Sequence, residues 1–258
     1  MMTIAEYKPT EILQPFIKAI IIIESGGEQL QNRVLPNTSV ALAFCFNGQN
    51  SYTENSSLNI LPKTTVSGLR KSVRLINYSK KTSTLIVLFK ENSAAAFFKE
   101  PLYELFEKSI SLDNIEHPNE IRMIEEMLCE AKTDIRRVKV VEQFLIKKLN
   151  YTREDNIVSA AITKIKQSKG LIRIQDLALD LHMSNDAFEK RFRKVIGSSP
   201  KQFASIIRMS SIIHQKSNER FLDIAFEAGY YDQAHFNKDF KLFTGQTPTE
   251  FYRGASFW

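Results

Sequence analysis

The chain has 258 residues, 43% apolar and 25% charged, with 35 Lys and Arg against 29 Asp and Glu for a net charge of +6. That length allows one large domain or two ordinary ones, and that composition excludes general disorder, a collagen-like fibre and a small disulfide scaffold. The mild basic excess suggests a polyanion partner, and no apolar run approaches the ~20 residues of a membrane span.

Residues 1–10 lack the charged-then-apolar form of a signal peptide, so a cytoplasmic protein without membrane contact is expected. The N-terminal stretch, to about residue 115, reads as β-rich. Ile17–Glu24, Ser39–Phe46, Val73–Tyr78 and Ser83–Phe89 are β-branched or aromatic runs of strand length, separated by turn clusters such as Ser25-Gly26-Gly27 and Asn47-Gly48-Gln49-Asn50. Ala41 to Phe46 is apolar at every position, which predicts a strand covered on both faces in a sandwich or barrel. After Pro118 the period becomes helical. Ile121, Ile124, Met127 and Leu128 form one stripe; Ile135, Val138, Val141, Leu145 and Leu149 form another, with Glu142 beside Val141. Thr133-Asp134 between them supplies a cap, so an αα-hairpin is expected. Its second stripe either packs on the β-rich part or forms a dimer contact.

The polar stretch 150–156 predicts the division into residues 1–150, β-rich, and residues 151–258, helical throughout. The first holds 19 basic and 17 acidic side chains; the second, shorter one holds 16 and 12 and so carries most of the charge excess. Ile157, Val158, Ala161, Ile162 and Ile165 face one way on the next helix, with Gly170 expected at its end.

A repeat fills the rest. Leu177-Ala178, Met183-Ser184, Phe188, Phe192, Gly197, Ser199-Pro200 and Phe203 return as Ile224-Ala225, Tyr230, Asp232, Phe236, Phe240, Gly245, Thr247-Pro248 and Phe251. The offset is 48 from Ser184/Asp232 onward and 47 before it, so the second copy has one extra residue near Tyr231. Each copy reads as helix, tight turn, helix, at about 174–196 and 221–244. Ser184 and Asp232 are the predicted N-caps. Phe188, Phe192 and Val195, and then Phe236, Phe240 and Phe243, are the predicted buried faces, and Gly197 and Gly245 the stops. That is the pattern of a helix-turn-helix, whose second helix enters a DNA major groove. At ~100° per residue, Asp186, Lys190 and Arg193 lie opposite Phe188 with Glu189 on the flank; Ala234, Lys238 and Lys241 lie opposite Phe236 with Asn237 on the flank, and Gln233 sits at the helix start.

These residues, together with Gly229, Gln233-Ala234-His235 and Phe251 to Arg253, resemble the signature of AraC/XylS-family transcription regulators over roughly residues 155–253. The resemblance implies a linking helix from about Ala204 to Lys216 that includes a recurrent arginine, Arg208, and holds two motifs one DNA turn apart. It implies base-reading positions at Asp186, Glu189 and Lys190 in the first motif and at Gln233, Ala234, Asn237 and Lys238 in the second. The acids Asp186 and Glu189 depart from the family habit of long polar or aromatic side chains there; an acid repels phosphate but accepts from cytosine N4. Tyr7-x-Pro9, Phe16-Ile17 and Leu35-Pro36-Asn37 resemble, more loosely, the β-rich sensor domain of such regulators, often a cupin-like barrel. The implied partners are double-stranded DNA, a small-molecule effector of undefined chemistry, RNA polymerase if the protein activates, and a second copy in a homodimer.

No cofactor, metal or catalytic residue is expected. His117, His182, His214 and His235 all lie outside the strand region, against a metal-binding barrel. Cys45 and Cys129 sit among apolar residues and read as reduced, buried thiols. Neither a phosphate-binding Gly loop nor a nucleophile elbow is present. Arg70-Lys71 with Arg74, Lys80-Lys81, and Arg136-Arg137 with Lys139 read as solvated basic clusters. The fold expected is therefore α+β with a cupin-like or barrel first part and a helical second part, and the function expected is sequence-specific DNA binding. The alternative is a ligand-binding or protein-interaction module whose helical half docks protein.

Overall fold

Side-chain size alternates along the central strands and decides how the first half is layered. The computed structural model describes residues 2–54, 57–151, 154–213 and 221–253. Among these residues ten strands form: β1 Met2–Tyr7, β2 Ile17–Ser25, β3 Leu30–Val34, β4 Ala41–Asn47, β5 Asn50–Glu54, β6 Ser57–Ile60, β7 Thr64–Ser67, β8 Arg74–Tyr78, β9 Ser83–Phe89 and β10 Ser109–Ser111. They make a six-stranded sheet, β1-β2-β9-β4-β7-β10, and a four-stranded one, β3-β8-β5-β6, with every described pairing antiparallel. The two sheets do not pair edge to edge among the described residues, so this is an open two-sheet arrangement and not the closed barrel allowed by the sequence.

In the larger sheet, Ile20, Val87, Leu42 and Val66 stand in one register row, and Ile22, Leu85, Phe44 and Thr64 in the next but one. This face packs on the helical hairpin: the Phe44 ring meets Phe144 at 6.3 Å, and the Thr64 hydroxyl donates to Glu125 Oε1 at 2.7 Å. Burying each large side chain here contributes about 1.5–3 kcal/mol. The alternate positions on the same strands, Ala41, Ala43, Cys45, Thr65 and Ser67, are small and face the second sheet across a cavity.

The hairpin consists of α1 Pro118–Glu130 and α2 Asp134–Lys148, with Thr133 Oγ1 capping α2 by accepting from the Arg136 amide at 3.3 Å. Val138, Val141 and Leu145 are buried against the protein's own core, so that stripe is not offered to a second copy. Two residues assigned to the stripes are outside: Met127 is 40% and Ile135 64% exposed. On the wheel, the buried arc of α2 is centred nearer Val141 and Phe144, leaving Ile135 at its rim; Met127 stands off the Ile121–Leu128 arc likewise. Of the two thiols, Cys45 is buried and burial pushes it up in pKa, whereas Cys129 is exposed, contrary to the sequence reading. Its thiol donates to the Phe46 carbonyl at the end of β4 at 3.4 Å.

Among the described residues seven helices follow: α3 Asn156–Gln167, α4 Ile174–Asp180, α5 Asn185–Ile196, α6 Pro200–Ile213, α7 Phe221–Glu227, α8 Gln233–Thr244 and α9 Pro248–Arg253. Asp155 caps α3. Gly170 takes φ +78, and its amide reaches back to the Ile165 carbonyl at 2.8 Å; an added Cβ would meet the Ala204 carbonyl oxygen at 2.2 Å, so only glycine lets α3 end against α6. The linking helix starts at Pro200, four residues before the sequence expectation; residues 214–216 of that expectation, His214 included, lie outside the described residues. Among the described residues no helix is long and apolar enough to cross a membrane.

Candidate nucleic-acid interface

The two helix-turn-helix copies agree bond for bond. In the first, the amides of Leu181, His182 and Met183 donate to the carbonyls of Leu177, Leu179 and Ala178; in the second, Ala228, Gly229 and Tyr230 donate to Ile224, Phe226 and Ala225. His182 (φ +55) and Gly229 (φ +74) occupy the same left-handed position, the step that reverses the chain between helices. The inserted residue is accounted for by the turn lengths, 181–184 against 228–232. Ser184 Oγ then accepts from Ala187 N at 3.3 Å, and Asp232 Oδ1 from His235 N at 2.7 Å. Gly197 and Gly245 close the second helices at φ +87 and +79.

A further shared feature escaped the sequence reading. After each stop comes a reciprocal capping box: Ser199 and Gln202 exchange bonds of 3.0 and 3.2 Å, and Thr247 and Glu250 exchange bonds of 2.8 and 3.4 Å. The Ser/Thr-Pro-x-Gln/Glu spacing was its signal.

The aromatic faces turn inward as expected, with one correction. Phe188, Phe192, Phe236, Phe240 and Phe243 are buried, but Ile196 takes the place assigned to Val195, which is only half-buried. The glycine turn directly after Ile196 brings the helix end down onto the core.

The opposite faces are open. On α5, Asp186, Lys190 and Arg193 are exposed and Glu189 is half-buried; on α8, Gln233, Ala234, Lys238 and Lys241 are exposed and Asn237 is half-buried. The two sets differ electrostatically. Arg193 binds Glu189 Oε1 through Nε at 2.9 Å and Nη2 at 2.8 Å, so those two charges offset each other, and Asp186 adds an acid to the first turn. The first turn of α8 has no acid, but its N-cap is the Asp232 carboxylate, which takes the His235 amide and offsets the partial positive charge there, where α5 has the neutral Ser184. Asp239, the acid within α8, is turned inward: the Tyr230 hydroxyl donates to its Oδ2 at 3.1 Å and Arg208 Nη2 lies 4.0 Å away.

Arg208 also stacks on the Tyr230 ring at 4.5 Å, tying α6 to the second motif. Burial, outweighing the nearby Arg208, pushes the Tyr230 phenol well up, so it stays a neutral donor. His235 meets the same ring edge-on at 5.2 Å, consistent with packing at the helix start. Tyr231, 92% exposed in the turn before α8, was noticed in the sequence only as an insertion, and it stands beside the candidate face.

The first half touches the far ends of both α5 and α8. The Leu102 carbonyl oxygen would lie 2.7 Å from a Cβ on Gly197, and the Val73 amide donates to the Leu242 carbonyl in α8 at 3.2 Å. Lys190 lines a groove of about 1050 Å³ shared with residues 92–102. Arg191, next to it, pairs with Asp155 at 2.7 Å. Among the described residues no cluster of His, Cys, Asp and Glu gathers to hold a metal.

Comparison with known proteins finds two separate matching stretches. Residues 177–254 match the profile of a helix-turn-helix domain family, and residues 5–111 match a domain of unknown function (DUF6597). An uncharacterized HTH-type transcriptional regulator of Haemophilus influenzae is 30% identical over 106 residues, 40% of this chain and 36% of its own length. The HTH-type transcriptional regulator YisR of Bacillus subtilis is 31% identical over 85 residues, 32% and 30% of the two lengths. The match thus spans about a third of these relatives. A crystal structure of ToxT from Vibrio cholerae overlaps 98% of this chain and 97% of its own at a TM-score of 0.45 and 13% identity, a likeness too loose to transfer anything.

Proposed function

We propose, from the premise that residues 177–254 are an AraC-type helix-turn-helix domain, that the chain is a sequence-specific DNA-binding transcription regulator whose α5 and α8 enter successive major grooves. The observation that carries this is the doubled motif: two copies with the same turn bonds, caps and stops, each burying its aromatic face and leaving its polar face open. In this reading Lys190, Gln233, Asn237 and Lys238 contact base edges, with Ala234 permitting close approach. Arg193, Lys241 and the helix N-termini hold phosphates. The second motif supplies most of the affinity, because the Glu189–Arg193 pair offsets a cation of the first. Asp186 and Glu189 bias the first motif toward C·G pairs. Residues 1–150 act as a regulatory domain through their contacts with the ends of α5 and α8.

Fluorescence anisotropy of labelled duplex across a salt series tests this. Binding is expected to weaken with salt at about −0.9 in log K per log salt for each phosphate neutralised. A salt-independent signal, or a protein partner in place of duplex on the exposed faces, favours the docking-module reading.

A further inference from the structure

The cavity between the two sheets has a volume of about 150 Å³. Its floor is made by small side chains of the larger sheet, Ala41, Ala43 and Cys45, with Ile86 beside them. Its other wall carries two arginines. Arg74 is 6% exposed; it donates to Ser109 Oγ and stacks on the Tyr52 ring at 4.1 Å, and its Nε has no partner. Arg70 donates through Nη1 to the Glu107 carbonyl oxygen at 3.3 Å, and its Nε has no partner either. Among the described residues neither guanidinium lies within 4.0 Å of a carboxylate. Glu107 exerts the largest acidic influence on Arg70, but its Oε1 is taken by the Lys71 amide at 2.6 Å.

Buried charges are normally paired, because an unpaired one keeps the full cost of leaving water. Here two cations share a low-dielectric space. Burial, and then the neighbouring Arg70, holds the Arg74 guanidinium down to about 10. What such a site lacks is an anion, and a carboxylate is the group whose two oxygens match the guanidinium fork. Most of the remaining wall is apolar, with Ser39, Asn50, Lys63, Thr65 and Thr84 also lining it, and a cavity near 150 Å³ holds a body about the size of one benzene ring.

We propose that this cavity binds a small organic carboxylate, its head on Arg70 and Arg74 and its ring-sized apolar body against Ala41, Ala43, Cys45 and Ile86. Inorganic phosphate satisfies the arginines and leaves the apolar floor bare; a long-chain fatty acid exceeds the space. The site also has a short route to the second motif. Arg74 follows Val73, whose amide bonds the Leu242 carbonyl in α8. Carboxylate binding therefore bears on the position of α8, and this consequence alone rests on the proposed DNA-binding function.

The test is thermal unfolding of the full chain with benzoate, 3-methylbutanoate and hexanoate, against neutral benzamide and inorganic phosphate. At least one carboxylate is expected to raise Tm saturably at millimolar concentration, with little effect from benzamide or phosphate. Arg74→Met is expected to abolish that shift while leaving the ligand-free Tm equal or higher, since it removes an uncompensated charge; Arg70→Met provides a second, less buried variant. No shift with any carboxylate, an equal shift with phosphate, or an Arg74→Met protein that keeps the shift overturns the proposal. If DNA binding is intact while no carboxylate binds, this inference alone falls. If carboxylates bind but the protein shows no DNA binding, the regulator reading falls and the site stands.

Discussion

His182 and Gly229 hold the same left-handed turn with different side chains. A Cβ in that conformation costs about 1–2 kcal/mol, which histidine tolerates better than most residues. Gly229→Ala is therefore expected to lose about 1–2 kcal/mol in denaturant unfolding, whereas His182→Gly changes stability by less than about 1 kcal/mol. Equal losses from both would refute the equivalence of the turns. On the DNA side, Lys238→Ala is expected to cost about 1–3 kcal/mol at a specific site if it reads a base; a uniform loss over all sequences would make it a phosphate anchor. Glu189→Gln releases Arg193 and is expected to tighten binding to random duplex and steepen its salt dependence, as read by anisotropy. Unchanged binding would remove the argument that the first motif is self-neutralised. Caps and aromatic spacing were legible in the sequence because they act within one or two helical turns. The Arg208–Tyr230–Asp239 cluster was not, since it draws on α6, the turn and α8. Arg74 read as part of a solvated basic cluster, and only the pairing of β8 with β3 and β5 shows that it is buried.

Among the elements, the helices and the long apolar strands were readable, and β9 falls at Ser83–Phe89 as the sequence indicated. Strands β1, β3, β5, β6, β7 and β10 were missed. They are short or face solvent, as in Ser57–Ile60, where three of four residues are exposed, so they carry little apolar period. Their existence depends on pairing with neighbours, which a local pattern does not encode. The stop of α5 illustrates the same limit. Glycine was expected at 197, but not that a Cβ there would press on the Leu102 carbonyl at 2.7 Å, whereas at Gly245 the nearest atom is a Val73 methyl at 3.2 Å. Gly197→Ala is therefore expected to lose more than the about 1–2 kcal/mol of the backbone conformation alone, and more than Gly245→Ala. A smaller loss at 197, in thermal or denaturant unfolding, would contradict the tight seating of α5 on residues 102–105.

For the whole molecule, the two halves are joined by contacts between residues far apart in sequence: Glu91 with Lys166 at 2.5 Å, Asn92 with Ser159 at 2.6 Å, and Val73 with Leu242. No local pattern announces such pairs, which is why the helical half was legible as a unit and its seating on the first half was not. Burial alone would raise the Glu91 pKa, but the bonds from Lys166 and Thr38 outweigh it and hold the carboxyl below its ordinary value. Asp155 behaves likewise through Arg191 and the Val158 amide. A depressed folded pKa contributes stability above the unfolded pKa, near 4 for these groups, and that contribution disappears as pH falls through the folded value. Tm is thus expected to hold from neutral pH to about 5 and to fall below it, with Glu91→Gln lowering Tm at pH 7 and flattening the acid limb. An acid limb unchanged in that variant would show that Glu91 does not link the halves.

If α5 and α8 enter successive major grooves, they grip one face of a duplex together. Hydroxyl-radical footprinting on a fragment selected by the protein from random duplex tests it most directly. Two protected patches about 10 base pairs apart on the same face are expected. One patch, or two on opposite faces of the duplex, would rule out that paired grip.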